Sequence, residues 1–305
     1  MSDKNIKKIM MDIKSVKIQG ARNVAVAGAR ILMLAAKQSH AVDSVAFVCE
    51  LKDISRQVAA LRPTEPALRY GQDMIISKVG ARSALPVKDL KAYAARLYGN
   101  YIKETQLALK KIATYGARMI SSGDVIMTHC HSNCVIEILR AAKRQGKDFT
   151  VVVTETRPLY QGTITARELA KEKIKVVYCI DSCSASMMRK ATKVLVGADA
   201  ITAEGEVVNK IGTFQLAIEA KEFKVPFIVA CGTHKYDPRT ALGYPEPIEE
   251  RASREVTGTK KIRGVKVVNP AFDVTPKEYV FEIVTEIGVY SPEILVGILV
   301  AGKKG

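Results

Sequence analysis

Four short stretches hold most of the side chains that can do chemistry: Thr128-His129-Cys130-His131-Ser132-Asn133-Cys134, Gly197-Ala198-Asp199, Asn209-Lys210-Ile211-Gly212-Thr213 and Gly232-Thr233-His234-Lys235. Cys130 stands where an apolar run gives way to a helical pattern. Backbone N–H groups and the helix dipole at such a point favour a thiolate, so the spacing predicts a lowered thiol pKa and a base or nucleophile. A buried, inert cysteine is the commoner fate of a free thiol. Asp199 closes the apolar run at 194–196. Shielding from water there raises a carboxyl pKa and suits it to act as an acid, although Asp at such a position also caps turns. Asp181 admits the same two readings, and Asp181-Ser182 reads more as a loop cap. Asn209 and Lys210 precede a helix whose free N–H groups can hold an anion, with Asn209 orienting a sugar hydroxyl. Lys235 is a phosphate candidate, and His131 and His234 read either as loop caps or as acid–base groups.

A metal reading is open too. Cys130 and Cys134 share their spacing with Cys179 and Cys183, which would allow a four-cysteine zinc site. The spacings are not those of zinc ribbons, and successive strand residues such as His129 and Cys130 point to opposite faces.

The elements that must place these residues are strands and helices in alternation. Apolar runs rich in β-branched residues occur at 125–127, 151–153, 176–180, 194–196 and 227–230, with helical patterns at 135–143, 166–171 and 214–222 between them. That alternation predicts an α/β fold with a mainly parallel sheet covered on both faces. Further strands are expected at 265–268 and 279–285. In an open parallel sheet ligands bind beyond the carboxyl ends of the strands. The four stretches above fall at those ends, as do Thr154-Glu155-Thr156-Arg157-Pro158 and Asp181-Ser182. Residues 1–120 instead carry helical period, broken by Pro63, Pro66 and Pro86, and predict a bundle of helices with a loop near 62–65. The expected organisation is a helical domain over 1–120 and a Rossmann-like catalytic domain over 121–305. In the helical half Arg22 and Arg62 are cation candidates, although either taken alone reads better as a plain surface arginine.

Composition narrows the classes. The chain has 305 residues, with 47 Lys plus Arg and 31 Asp plus Glu, so 47 − 31 gives +16. Aromatics are only 6% and Trp is absent, which disfavours a single-strand stacking platform. The basic clusters at 171–175 and 260–266 are too short for a nucleic-acid arm, so neither a nucleic-acid nor a membrane partner is expected. No apolar run reaches the roughly 18–20 residues of a membrane span. No secretory leader is visible, and six cysteines in such a chain point to a reducing cytoplasm rather than a disulfide scaffold. None of the 20 glycines forms a dinucleotide or P-loop motif, which disfavours a nicotinamide oxidoreductase or an NTPase. Gly-Ala-Arg recurs at 20, 28, 80 and 116, too irregularly for a repeat array.

Several segments together resemble the superfamily that joins sugar-phosphate isomerases to the alpha, beta and delta subunits of eukaryotic initiation factor two-B. They are QGAR at 19–22, LRPT at 61–64, THCHSN at 128–133, ETRPLYQG at 155–162, GADAITAEGEVVNKIGT at 197–213, CGTHKYDP at 231–238 and NPAFDVTP at 269–276. Within it, THCHSN, GADAIT and NPAFDVTP look most like the archaeal ribose-1,5-bisphosphate isomerases. The methylthioribose-1-phosphate isomerases typically read THCN and GADR at the first two. The initiation-factor subunits generally lack the paired cysteine and aspartate kept here as Cys130 and Asp199.

The resemblance implies a helical domain, a Rossmann-like domain and a site between them, with Cys130 as catalytic base and Asp199 as catalytic acid. It also implies substrate binding by Gln19, Gly20, Ala21, Arg22, Arg62, Ser132, Asn133, Cys134, Asn209, Lys210 and Lys235. One departure is Gln19, where these isomerases commonly have Arg. The implied reaction is ribose 1,5-bisphosphate to ribulose 1,5-bisphosphate, linking nucleoside and AMP breakdown to Rubisco. The phosphorylated sugar is the expected partner, together with further copies of the chain as a dimer or trimer of dimers. No metal and no nicotinamide cofactor is expected.

Overall fold

The computed structural model describes residues 4–259 and 262–302. Lys260 and Lys261, the start of one basic cluster, lie outside the described residues. The chain divides into two compact units, Met1–Leu107 and Ala108–Gly305.

The first unit is helical: α1 (Lys4–Lys14), α2 (Ala21–Gln38), α3 (Ser44–Ala59), α4 (Pro66–Gly80) and most of α5 (Val87–Arg118), which continues into the second unit. Asp43 starts α3 by accepting the Ala46 N–H at 2.8 Å, and Pro66 sits in the first turn of α4, where its missing N–H costs nothing. The expected loop at 62–65 separates α3 from α4. The core is built from Ile31, Leu32, Phe47, Leu51, Leu68, Ile75 and Leu90. A side chain at Gly28 would run into Leu68, so α2 and α4 approach closely there.

The second unit is α/β. Its main sheet comprises β1 (Val125–Thr128), β2 (Thr150–Thr154), β3 (Lys175–Cys179), β4 (Lys193–Val196), β7 (Phe227–Ala230), β9 (Glu282–Thr285) and β10 (Gly288–Tyr290). The strand order is β10-β9-β7-β4-β1-β2-β3, parallel except for β10. A small antiparallel sheet holds β5 (Ala200–Ile201), β6 (Val207–Lys210) and β8 (Phe272–Thr275). The helices are α6 (Asn133–Arg144), α7 (Gln161–Lys171), α8 (Ser184–Met188), α9 (Thr213–Glu222), α10 (Arg254–Thr257) and α11 (Pro292–Ala301).

Period-two alternation sends Ile126, Val151 and Val153 into one core with α6, and Met127, Val152, Val194 and Val196 into the other with α9. This is the covering of both faces expected of apolar parallel strands. β3 departs from it: it pairs with β2, forms one edge of the sheet and leaves Val177 and Tyr178 exposed. Two other expectations need correction. Residues 265–268 form no strand, because Val265 and Val268 are exposed and no strand among the described residues pairs with them. Of 279–285 only Glu282–Thr285 is strand, since a 3₁₀ turn takes Lys277–Tyr279. No helix among the described residues is long and apolar enough to cross a membrane.

The sheet reverses its winding between β1 and β4. β2 and β3 are laid down on one side of β1, and β4 and β7 on the other. The carboxyl ends of β1 and β4 therefore border the crevice at the switch point.

Candidate active site

Cys130 follows β1 in the left-handed region, at φ 66°. A non-glycine residue there is strained, and its surroundings must hold it. Its N–H donates to Thr156 Oγ1 at 2.8 Å and its carbonyl accepts from the Thr165 hydroxyl at 2.8 Å. The residue on its amino side faces the other way. His129 is buried and bonded at both ring nitrogens, to Thr154 Oγ1 at 2.6 Å and to the Ile211 carbonyl at 2.8 Å. A carbonyl only accepts, so Nε2 carries the proton and Nδ1 accepts from Thr154. Burial holds the pKa of this imidazole below its ordinary value, opposed by the Ile211 carbonyl and Asp181. His129 thus ties β1 to β2 and to the start of α9, and it is not poised to exchange protons.

Burial pushes the Cys130 thiol up to about 11. The Lys210 ammonium and the His131 N–H pull it down, while Asp199 and Asp181 push it further up. The lowered pKa expected from the helix start is therefore not found, because desolvation outweighs the nearby positive charge.

The other candidates in this unit gather around the same crevice. Asp199 lies between β4 and β5, partly exposed, its N–H donating to Val208 O at 2.8 Å. A side chain at Gly197 would meet Ser132 Oγ at 2.6 Å, so glycine is what lets the start of α6 approach the end of β4. Asn209 Oδ1 lies 4.0 Å from the same point, and Asn209 Nδ2 donates to Thr213 Oγ1 at 2.9 Å. Asn133 begins α6, and its N-cap Ser132 makes no side-chain capping bond. Cys134 follows Asn133 in the first turn, close enough to Cys231 to raise the pKa of that buried thiol. Lys210 stacks its ammonium 4.6 Å from the centre of the Phe272 ring. Lys235 is buried after β7 and donates to the Ala198 carbonyl. Cys130, Ser132, Asn133, Cys134, Asp199, Asn209, Lys210 and Lys235 thus share the carboxyl edge of β1, β4, β6 and β7. Among the described residues no three His, Cys, Asp or Glu side chains converge as a metal-binding set.

The start of α9 differs from the expectation. Its open N–H groups do not await a ligand. Asp273 Oδ2 accepts from Gly212 N–H at 2.7 Å and Phe214 N–H at 3.2 Å. The chain closes this helix end with its own carboxylate, delivered by the pairing of β8 with β6. Thr156 and Asp273 are polar residues that sequence reasoning left without a role, whereas Asp181 caps the loop after β2, as its loop-cap reading had it. Thr156 and Asp273 did lie inside the resembling segments.

In the helical unit, Gln19, Gly20, Ala21 and Arg22 form the start of α2. Gly20 takes φ 80° at the N-cap and makes no side-chain capping bond. The Arg22 Nε is buried without a hydrogen-bond partner. Arg62 is buried and pairs with Glu65 at 2.9 Å. Neither arginine is the plain surface residue that composition alone allows.

Comparison with known proteins agrees with this architecture. The chain is 40% identical over 304 residues to the ribose 1,5-bisphosphate isomerase of Thermococcus kodakarensis, covering 97% of this chain and 94% of that protein. It is 36% identical over 310 residues to the methylthioribose-1-phosphate isomerase of Thermosipho africanus, covering 96% and 88%. Among solved structures, the translation initiation factor eIF-2B of Pyrococcus horikoshii superposes with a TM-score of 0.83 at 31% identity, covering 96% of this chain and 99% of that one. The profile of the initiation factor 2 subunit family spans residues 17–292, and the chain belongs to that family.

Proposed function

We propose that this protein is an aldose–ketose isomerase that converts ribose 1,5-bisphosphate to ribulose 1,5-bisphosphate. One observation carries the reading: a thiol, a carboxyl and two lysines meet at the switch point of the parallel sheet, as Cys130, Asp199, Lys210 and Lys235. The name of the Thermococcus relative supplies the substrate. The start of α6, where the Ser132 side chain makes no capping bond, suits one phosphate at Ser132, Asn133 and Cys134. Gly20, Ala21 and Arg22 at the start of α2, together with Arg62, suit phosphate in the same way. Gln19 adds an amide there in place of a cation.

Phosphate masks the anomeric oxygen, so the ring cannot open through a free hemiacetal. Asp199 delivers a proton to the ring oxygen as the C1–O bond breaks. Cys130 takes the C2 proton, and the electrons of that C–H bond form the C1=C2 double bond of an enol. Loss of the enol hydroxyl proton and protonation at C1 give the ketone. With the thiol pushed up to about 11, sulfur holds its proton at rest. The reactive state has that proton on Asp199 instead. General acid–base steps of this kind contribute roughly 10²–10⁴-fold each.

The reaction would link nucleoside breakdown to Rubisco. The exposed apolar residues Val177 and Tyr178 of β3, Ile180 just after it and Ile164 of α7 support assembly into a homo-oligomer.

The test offers purified protein ribose 1,5-bisphosphate and methylthioribose 1-phosphate and follows ketose formation. Turnover of the first alone is the expected result. Turnover of the second alone assigns the sister reaction, and turnover of neither leaves a binding or regulatory subunit. Cys130→Ser is expected to fold and to lose nearly all turnover, and substantial residual activity would remove Cys130 from the mechanism.

A further inference from the structure

The conformation of Cys130 is not self-supporting. A non-glycine residue held at φ 66° is strained and persists only where its surroundings impose it. Its N–H is gripped by Thr156 Oγ1 at 2.8 Å, and Thr156 is itself left-handed at φ 63° although β-branched. What holds Thr156 is Asp181, beyond β3. One carboxylate oxygen accepts the Thr156 N–H at 2.8 Å and the other accepts the Arg157 N–H at 2.7 Å. Charge-assisted bonds to two successive amides are strong and directional. Three strand ends are thus linked in series, β3 through Asp181 to β2 and through Thr156 to β1.

We propose that Asp181 and Thr156 are positioning residues that hold Cys130 in its reactive pose. The inference rests on the reading of Cys130 as the proton-abstracting group. Asp181 makes its hydrogen bonds to the Thr156 and Arg157 amides, not to the Cys130 sulfur. It acts through Thr156, whose amide is held by that carboxylate and whose hydroxyl accepts the Cys130 N–H. A cap that merely stabilised the loop would make no connection to the chemistry.

The experiment compares Thr156→Val, Thr156→Ser, Asp181→Ala and the Thr156→Val/Asp181→Ala double variant. Val keeps the branched shape and removes the acceptor, while Ser keeps the acceptor. Two readouts are taken: kcat and KM on ribose 1,5-bisphosphate, and the iodoacetamide alkylation rate of each cysteine in the substrate-free protein, resolved by peptide mass spectrometry. Thr156→Val and Asp181→Ala are expected to lower kcat roughly 10–100-fold with little change in KM, the cost of misplacing a reacting group by about 1 Å. In Thr156→Val, Cys130 alkylation is expected to rise at least about threefold, because release from burial lowers its pKa. Asp181→Ala also removes a carboxylate that pushes the thiol up, so its alkylation rate is not used as a readout. Cys231, fully buried at the end of β7, serves as the internal control and keeps its rate. Thr156→Ser recovers most of kcat. The double variant is no slower than the slower single, as for two residues acting in one line.

Wild-type kcat in both single variants, with wild-type Cys130 reactivity in Thr156→Val, would overturn the proposal. So would multiplicative losses in the double variant, or Cys231 accelerating in step with Cys130. If the wild type fails to turn over the sugar phosphate, the functional reading falls. The contrast between Cys130 and Cys231 alkylation in Thr156→Val still decides whether Thr156 holds the loop.

Discussion

Replacing Asp273 with asparagine should flatten part of the pH dependence of stability. Asp273 Oδ2 accepts two N–H groups at the start of α9, while Oδ1 is buried with no hydrogen-bond partner. Burial pushes its pKa from 3.8 to about 6, against the opposing pull of the Phe214 and Gly212 amides and Lys210. That is a rise of about two pH units, or ~3 kcal/mol. The folded protein keeps this proton to higher pH than the unfolded chain does. Between about pH 4 and 6 the native state binds more protons, so stability falls as pH rises, and above about 6 the whole penalty is present. From pH 4.5 to 7.5 roughly 2 kcal/mol of it develops, because part is already present at 4.5. The asparagine side chain cannot titrate, and its amide oxygen can still accept both N–H groups. Urea unfolding of both proteins at several pH values reads the effect as a difference, in which the other titrating groups cancel. Relative to Asp273→Asn, the wild type is expected to lose ~2 kcal/mol across that range. Profiles that stay parallel within ~0.5 kcal/mol, or a wild type that gains on the variant, would refute the reasoning.

Other perturbations test the packing and charge around the same crevice. A methyl group at Gly162, in the first turn of α7, would run into the Thr154 carbonyl oxygen of β2. Gly162→Ala should lower the urea midpoint, with a cost at or above ~3 kcal/mol, because the neighbour is strand backbone and cannot move aside. Gly99→Ala, in a stretch of α5 with no neighbour near a new methyl group, should instead raise stability by about 0.5–1 kcal/mol. Equal midpoints for the two variants would contradict the close approach of α7 to β2. Lys210→Met should push the Cys130 thiol still higher, since Lys210 is the largest influence lowering it. Alkylation of Cys130 at pH 8 is then expected to slow by roughly tenfold, and an unchanged rate would place the ammonium too far from the sulfur to matter.

The parts of this fold legible in the sequence are those with local or repetitive causes. β1, β2, β4 and β7 lie buried on both faces, so each reads as an uninterrupted apolar run, and the helices between them keep their period. The crevice followed because the strand ends could be read in order. The small sheet was not legible. Its strands have two to four residues, and Val207 of β6 finds its partner Thr275 far along the chain. The stretch at 265–268 has the β-branched composition of a strand, but composition cannot supply a neighbour to pair with. Thr156 and Asp181 are ordinary loop residues by type. Their roles come from backbone angles and from contacts across three strand ends.

The helix starts show why residue type and spacing can place an anion wrongly. α6 and α9 both begin at the carboxyl edge of the sheet, and any helix start leaves its first N–H groups without partners inside the helix. Sequence alone gives no reason to treat them differently. Asp273 makes the difference, filling the start of α9 from a strand about sixty residues away. A phosphate brought to α9 would meet a buried carboxylate at close range, and repulsion would exclude it unless Asp273 were protonated. At α6 the N-cap Ser132 makes no side-chain capping bond, and the residue brought against it is Gly197, which adds no side chain and no charge. Phosphate binding in this unit therefore falls to Ser132, Asn133 and Cys134 on the proposed reading. Asn209 and Lys210, held just before the filled helix start, are left to serve the sugar and the thiol.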